Sequence, residues 1–141
     1  MKSYIFPLLL LTSVLIGSCS SSENTKSTEE NLFGTWTLYK ETKQGKSIDY
    51  SGVPSASRIE FDSTGYFVYY DQITDEKISN AGVGVIQDHY KGQFKLEEKD
   101  LKMNHYIQDT LIVKKFKIEK ISETELVLID EKAGKTSYFK K

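Results

Sequence analysis

The sequence predicts an all-β domain: an antiparallel, up-and-down, eight-stranded barrel, with an open sheet or a two-layer sandwich as the alternative. Three observations carry that prediction. From residue 32 onward, apolar residues recur in short strand-like runs, and no stretch keeps helical spacing for three turns. Short turn segments separate most of the runs, and such turns join only antiparallel neighbours. Nine Tyr, seven Phe and one Trp in 141 residues add strand-favouring bulk. Eight strands suffice to close a barrel, and closure removes the unpaired edges of a flat sheet.

Residues 1–18 precede that domain and read as a leader. Lys2 supplies a positive start, and Ile5 to Ile16 form an apolar stretch broken only by Pro7, Thr12 and Ser13. Such a stretch is too short to span a membrane, which takes about 20 apolar residues, and it fits a secretory signal peptide. Ile16-Gly17-Ser18-Cys19 follows. This resembles the lipobox of bacterial lipoproteins, an aliphatic residue and two small ones before a cysteine. The resemblance implies cleavage before Cys19, a thioether diacylglycerol on its sulfur, and acylation of the new amino terminus. Two or more acyl chains hold a protein stably on a membrane without a span. Residues 19–31 then read as the acylated cysteine and a flexible tether, because Ser20 to Glu30 contain no apolar residue. Ser20 after the cysteine is associated in that class with passage to the outer membrane. The expected location is the cell envelope, with the leaflet open.

Residues 32–141 form the domain. Gly34 to Lys43 reads as a strand with Trp36 and Leu38 on one face, closed by Gln44-Gly45, with room for a short strand over Ser47 to Tyr50. Arg58 to Phe61 alternates with Ile59 and Phe61 inward. Asp62-Ser63-Thr64-Gly65 turns the chain into the aromatic strand Tyr66 to Tyr70, which makes a hairpin. After a long connection over 71–88, Tyr90 to Leu96 is a strand with Phe94 and Leu96 as core residues. Leu101 to Ile107 places Leu101, Met103, His105 and Ile107 on one face. Leu111 to Ile121 breaks strict alternation at Phe116, Ile118 and Ile121, which predicts a bulge near Glu119. Leu126 to Asp130 and Thr136 to Lys140 complete the series.

Leu32-Phe33-Gly34-Thr35-Trp36 resembles the Gly-x-Trp opening of lipocalins and of short bacterial lipocalin-like lipoprotein domains. The resemblance continues through Ile59, Phe61, Asp62 and Gly65, then Gly92-Gln93-Phe94, and ends with Ile118, Ile121 and Leu126-Val127-Leu128 before an aromatic last strand. It implies a barrel whose Trp36 packs across one end. The chain departs from the family's pattern in lacking a cysteine pair, a Thr-Asp-Tyr motif and an arginine near the end to cover Trp36. Lys140 or Lys141 stands where that arginine would be.

Composition narrows the function. Nineteen Lys and Arg face 20 Asp and Glu, scattered along the chain, and Arg58 is the only arginine. No basic stripe of the kind that binds nucleic acid is visible in the linear sequence. With one cysteine, the domain relies on its core rather than on disulfides. No Gly-x-Ser-x-Gly elbow or second cysteine supports a nucleophilic triad. Two histidines, His89 and His105, fall short of the three or four converging ligands of a metal site. No enzyme, cofactor or metal is expected. Ala81 to Ile86, apolar and Gly-rich, reads either as a lid at the barrel mouth or as an edge strand.

Two functions follow. In the first, a membrane-anchored barrel binds a small, largely apolar ligand through Trp36, Phe61, Phe67, Tyr69, Phe94, Met103 and His105. In the second, a filled barrel is a protein-interaction module, such as an envelope assembly factor, an inhibitor or an immunity protein.

Overall fold

The structure, a computed structural model, describes residues 27–53, 56–72 and 89–141. The leader, Cys19 and the Ala81 to Ile86 segment lie outside the described residues. Those described form one short helix, α1 (Thr28–Leu32), and nine strands. The strands are β1 (Gly34–Lys43), β2 (Lys46–Asp49), β3 (Arg58–Phe61), β4 (Tyr66–Tyr70) and β5 (His89–Glu97). They continue with β6 (Asp100–Ile107), β7 (Thr110–Ile121), β8 (Glu125–Asp130) and β9 (Lys135–Lys140).

All pairings are antiparallel, and β1 pairs with β9, so the sheet closes on itself. The fold is a closed eight-stranded barrel with β2 appended, and the open-sheet and sandwich alternatives are excluded. The first half of β1 pairs with β3 and its second half with β2, while β9 runs along the opposite edge. A register shift between Leu38 and Lys40 lets β1 bend to serve these partners. The bulge expected near Glu119 is present, between Ile118 and Lys120.

Local chemistry accounts for the turns. Glu97 pairs with Asp100, and Ile107 with Thr110, so two-residue turns place Glu98 and Gln108 at φ 54° and 52°. At the β3–β4 turn the Asp62 carboxylate accepts from the backbone N–H groups of Thr64 and Tyr66.

The helix was not expected. Residues 27–31, which composition places in the tether, form a turn capped reciprocally by Ser27 and Glu30. The helix carries Leu32, fully buried, against the foot of the barrel. No helix among the described residues is long and apolar enough to cross a membrane.

The core follows the pleat. Trp36, Ile59, Phe61, Phe67, Leu101, Met103, Ile118, Leu126, Leu128 and Phe139 converge on the interior. Gly92 of β5 sits in the same row as Phe67 and His105. Its missing side chain lets those two rings meet edge to face, with centroids 6.3 Å apart. A Cβ there would lie 2.0 Å from the Asn104 carbonyl oxygen and 2.7 Å from the Phe67 ring. Gly92→Ala should therefore destabilise the barrel by about 1–3 kcal/mol, the usual cost of overpacking. Urea denaturation checks this, and an unchanged midpoint would mean that Gly92 does not occupy this position.

Candidate functional site

The two ends of the barrel differ. At one end Trp36 is fully buried, and its indole Nε1 donates to the Leu32 carbonyl at 2.7 Å. The Lys141 ammonium lies 4.5 Å from the Trp36 ring centroid and donates to the Asn31 carbonyl at 3.0 Å. Gly34, at φ +112°, makes room for this lid, since the Lys141 side chain passes 3.3 Å from where its Cβ would be. This end is shut.

At the other end the interior turns aromatic and polar. Tyr69 of β4 and Tyr90 of β5 are paired residues, stacked at 4.9 Å, and Tyr90 stacks in turn on His105 of β6 at 4.1 Å. Lys114 of β7 lies opposite Met103, so it shares the inward face. Its ammonium donates to the Tyr90 hydroxyl at 3.3 Å and stands 5.6–5.8 Å from the centroids of Tyr90 and Tyr69. At this end too, Glu41 of β1 accepts from Lys135 at 2.7 Å, from Ser137 at 3.0 Å and from the Tyr50 hydroxyl at 3.4 Å. The connection between β4 and β5 leaves and re-enters the barrel at this end, where Tyr70 pairs with His89.

These surroundings shift the titratable groups. Burial pushes the hydroxyl pKa values of Tyr69 and Tyr90 up. It pushes the Lys114 ammonium down, with Lys135 repelling it further, while Asp71 and Asp130 oppose both. His105 is 2 % exposed, and burial, then the Lys114 charge, hold its imidazole below the ordinary range. Its Nδ1 is buried and has no hydrogen-bond partner among the described residues. Among the described residues no three His, Cys, Asp or Glu side chains come together as a metal site would require.

A sequence model of the lipocalin-like domain matches residues 32–128, from the helix end through Gly34-Thr35-Trp36 to β8. The chain belongs to the lipocalin-like domain family. Solved structures agree on the fold. A lipocalin-like protein from Bacteroides uniformis superposes with a TM-score of 0.58 at 19% identity, over 79% of this chain and 98% of that one. An uncharacterized protein from Bacteroides eggerthii gives 0.58 at 16% identity, over 78% and 98%. No curated protein sequence matches the chain.

Within this lipocalin-like barrel, all seven residues that the sequence nominates for ligand contact face inward, but they do not form one site. Trp36, Phe61, Phe67 and Met103 are packed into the core. Phe94 is partly buried, with Phe61 edge-on at 5.0 Å. Of the seven, Tyr69 and His105 alone belong to the ring stack with Tyr90. The sequence reading missed Tyr90 and Lys114, which complete it. It also missed a row of like charges on the outer face, where register sets Lys95, Lys102 and Lys115 side by side on β5, β6 and β7. They line a surface concavity of about 470 Å³ together with Glu97 and Asp100. On the same face, nearer the open end, Tyr106, Leu111 and Val113 are exposed, and Ile107 is exposed beside them at the strand end.

The depressed His105 pKa links stability to pH. Below the ordinary imidazole range the unfolded chain takes up a proton that the buried ring refuses, so this contribution falls as pH falls. His105→Phe should flatten the loss of stability between about pH 7.5 and about pH 5, above the range where the carboxylates titrate. Urea midpoints of both proteins at the two pH values measure it, and parallel losses would contradict the assignment.

Proposed function

We propose that this chain is a lipid-anchored protein of the bacterial envelope that holds a small, largely apolar molecule at the open end of its barrel and catalyses no reaction. The observation that carries the binding reading is the stack Tyr69–Tyr90–His105 on the inner wall beside an inward-facing Lys114. Stacked rings offer a flat apolar surface with polar edges, which suits ligands that combine a ring or chain with a few polar atoms. The opposite end is shut by Trp36 and Lys141, so a ligand enters and leaves by one mouth.

Anchoring rests on Ile16-Gly17-Ser18-Cys19. Cells expressing the full chain and fed a tagged fatty acid should label it, and Cys19→Ser should abolish the label. Label retained on the variant would defeat the lipoprotein reading.

A second reading, a protein-interaction module, is favoured by the well-filled lower half of the barrel and by the exposed Tyr106, Ile107, Leu111 and Val113. Binding of the neutral dye N-phenyl-1-naphthylamine to residues 20–141, with native mass spectrometry of the purified chain, decides between them. The first reading expects saturable dye fluorescence that Tyr90→Ala weakens about tenfold, the order of one lost ring contact. No dye binding and no retained small molecule would pass the function to the second.

A further inference from the structure

We infer that the molecule held at the open end is an organic acid, an amphipathic anion whose acidic group meets Lys114 while its apolar part lies against Tyr69 and Tyr90. This deepens the ligand-binding reading above and rests on it.

The inference starts from how the charges at this end are already matched. Glu41 is satisfied three times over, by Lys135, Ser137 and Tyr50. Asp130 accepts the Ala133 N–H at 2.9 Å in the β8–β9 turn, and Asp71 accepts that of Gln72. Lys114 differs. Its hydrogen-bond partner is the neutral Tyr90 hydroxyl, and among the described residues no carboxylate stands within ion-pair distance of it. An ammonium carries three donors, and one phenol oxygen leaves two of them to be satisfied.

Position makes that mismatch chemical rather than incidental. Lys114 is solvent-exposed, but it lies opposite Met103 on the inward side of β7, and its ammonium is drawn towards two tyrosine rings. Protein atoms around it remove part of its hydration, which strengthens any interaction with an incoming anion. A neutral, wholly apolar ligand would bury this ammonium further with no counter-charge in contact, since Asp71 and Asp130 act on it only from beyond ion-pair distance. An acid would neutralise it. The Tyr90 hydroxyl, which accepts from Lys114, keeps its own proton to donate beside it. His105 closes the stack as a neutral ring, so the recognising charge at the ligand is that of Lys114.

Two dyes with one aromatic skeleton test this. 8-Anilinonaphthalene-1-sulfonate carries an anion, and N-phenyl-1-naphthylamine does not. Titrated into residues 20–141, the sulfonate should bind more tightly than the neutral dye. Lys114→Met should weaken the sulfonate by about 10- to 100-fold, as loss of one charge-assisted hydrogen bond does. The same variant should leave the neutral dye unchanged or bound more tightly. Lys114→Arg should retain most of the preference. Lys102→Met, on the outer face, should change neither. If Lys114→Met weakens both dyes alike or neither, the inference is overturned while the ligand-binding reading stands. If neither dye binds the wild type, the ligand-binding reading falls and takes the inference with it.

Discussion

Everything in this molecule depends on the pairing of β1 with β9, which turns a nine-stranded ribbon into a closed barrel of eight. Once the sheet is closed, alternate residues of every strand must share one narrow interior, just wide enough for side chains to fill it. Trp36 exploits that restriction. It is the largest residue on the inner face, it lies on the strand that makes the closure, and Ile59 stands directly across from it on β3. Its indole N–H would be stranded there without a partner. The capped helix supplies one, the Leu32 carbonyl, and so ties residues 27–32 to the barrel.

Filling one end so completely moves the freedom to the other. Below the Phe67–Gly92–His105 row, the inner positions are aliphatic and aromatic, and they pack on one another. Elsewhere the inner positions include Tyr69, Tyr90, Glu41, Lys135 and Ser137, and Lys114, opposite Met103, reaches the Tyr90 hydroxyl. Apolar burial in the lower half supplies the stability, and the upper half is where the fold tolerates polar groups facing in.

How much of this the sequence carried depends on which residues one asks about. The strands were legible because each turn announces itself, as Gln44-Gly45, Asp62 to Gly65 and Gln108-Asp109 do, and because the breaks in alternation after Phe116 require the bulge that is found at Glu119. Trp36 at the closed end followed from family resemblance, and Lys141 does stand over its ring. The helix was missed although Ser27-Thr28-Glu29-Glu30 has the capping-box spacing, because an acidic, serine-rich segment reads as tether on composition. Lys114 was missed for a sharper reason. Alternation with Phe116 and Ile118 points it inward, but the adjacent Lys115 and the usual place of lysine at the surface hide that signal. The register against Met103 settles that, and register between strands is not written in either strand alone. The outer row of Lys95, Lys102 and Lys115 was invisible for the same reason: three lysines far apart in sequence become neighbours by pairing.

The inner wall at the open end is hard to explain as packing. His105 buries Nδ1 with no partner among the described residues, where an aromatic hydrocarbon would bury no polar atom. Lys114, though exposed, turns its ammonium towards Tyr69 and Tyr90, where nearby protein atoms lower its pKa. Phe61 and Phe94, in the lower half, meet edge to face with no polar atom between them and show how the same barrel packs where stability alone is at stake. Two polar groups that weaken the fold therefore sit side by side on one surface, in contact with the same tyrosine, at the end of the barrel that Trp36 does not close. On the reading proposed above, that cost is offset when an acidic, partly aromatic or aliphatic molecule meets both groups.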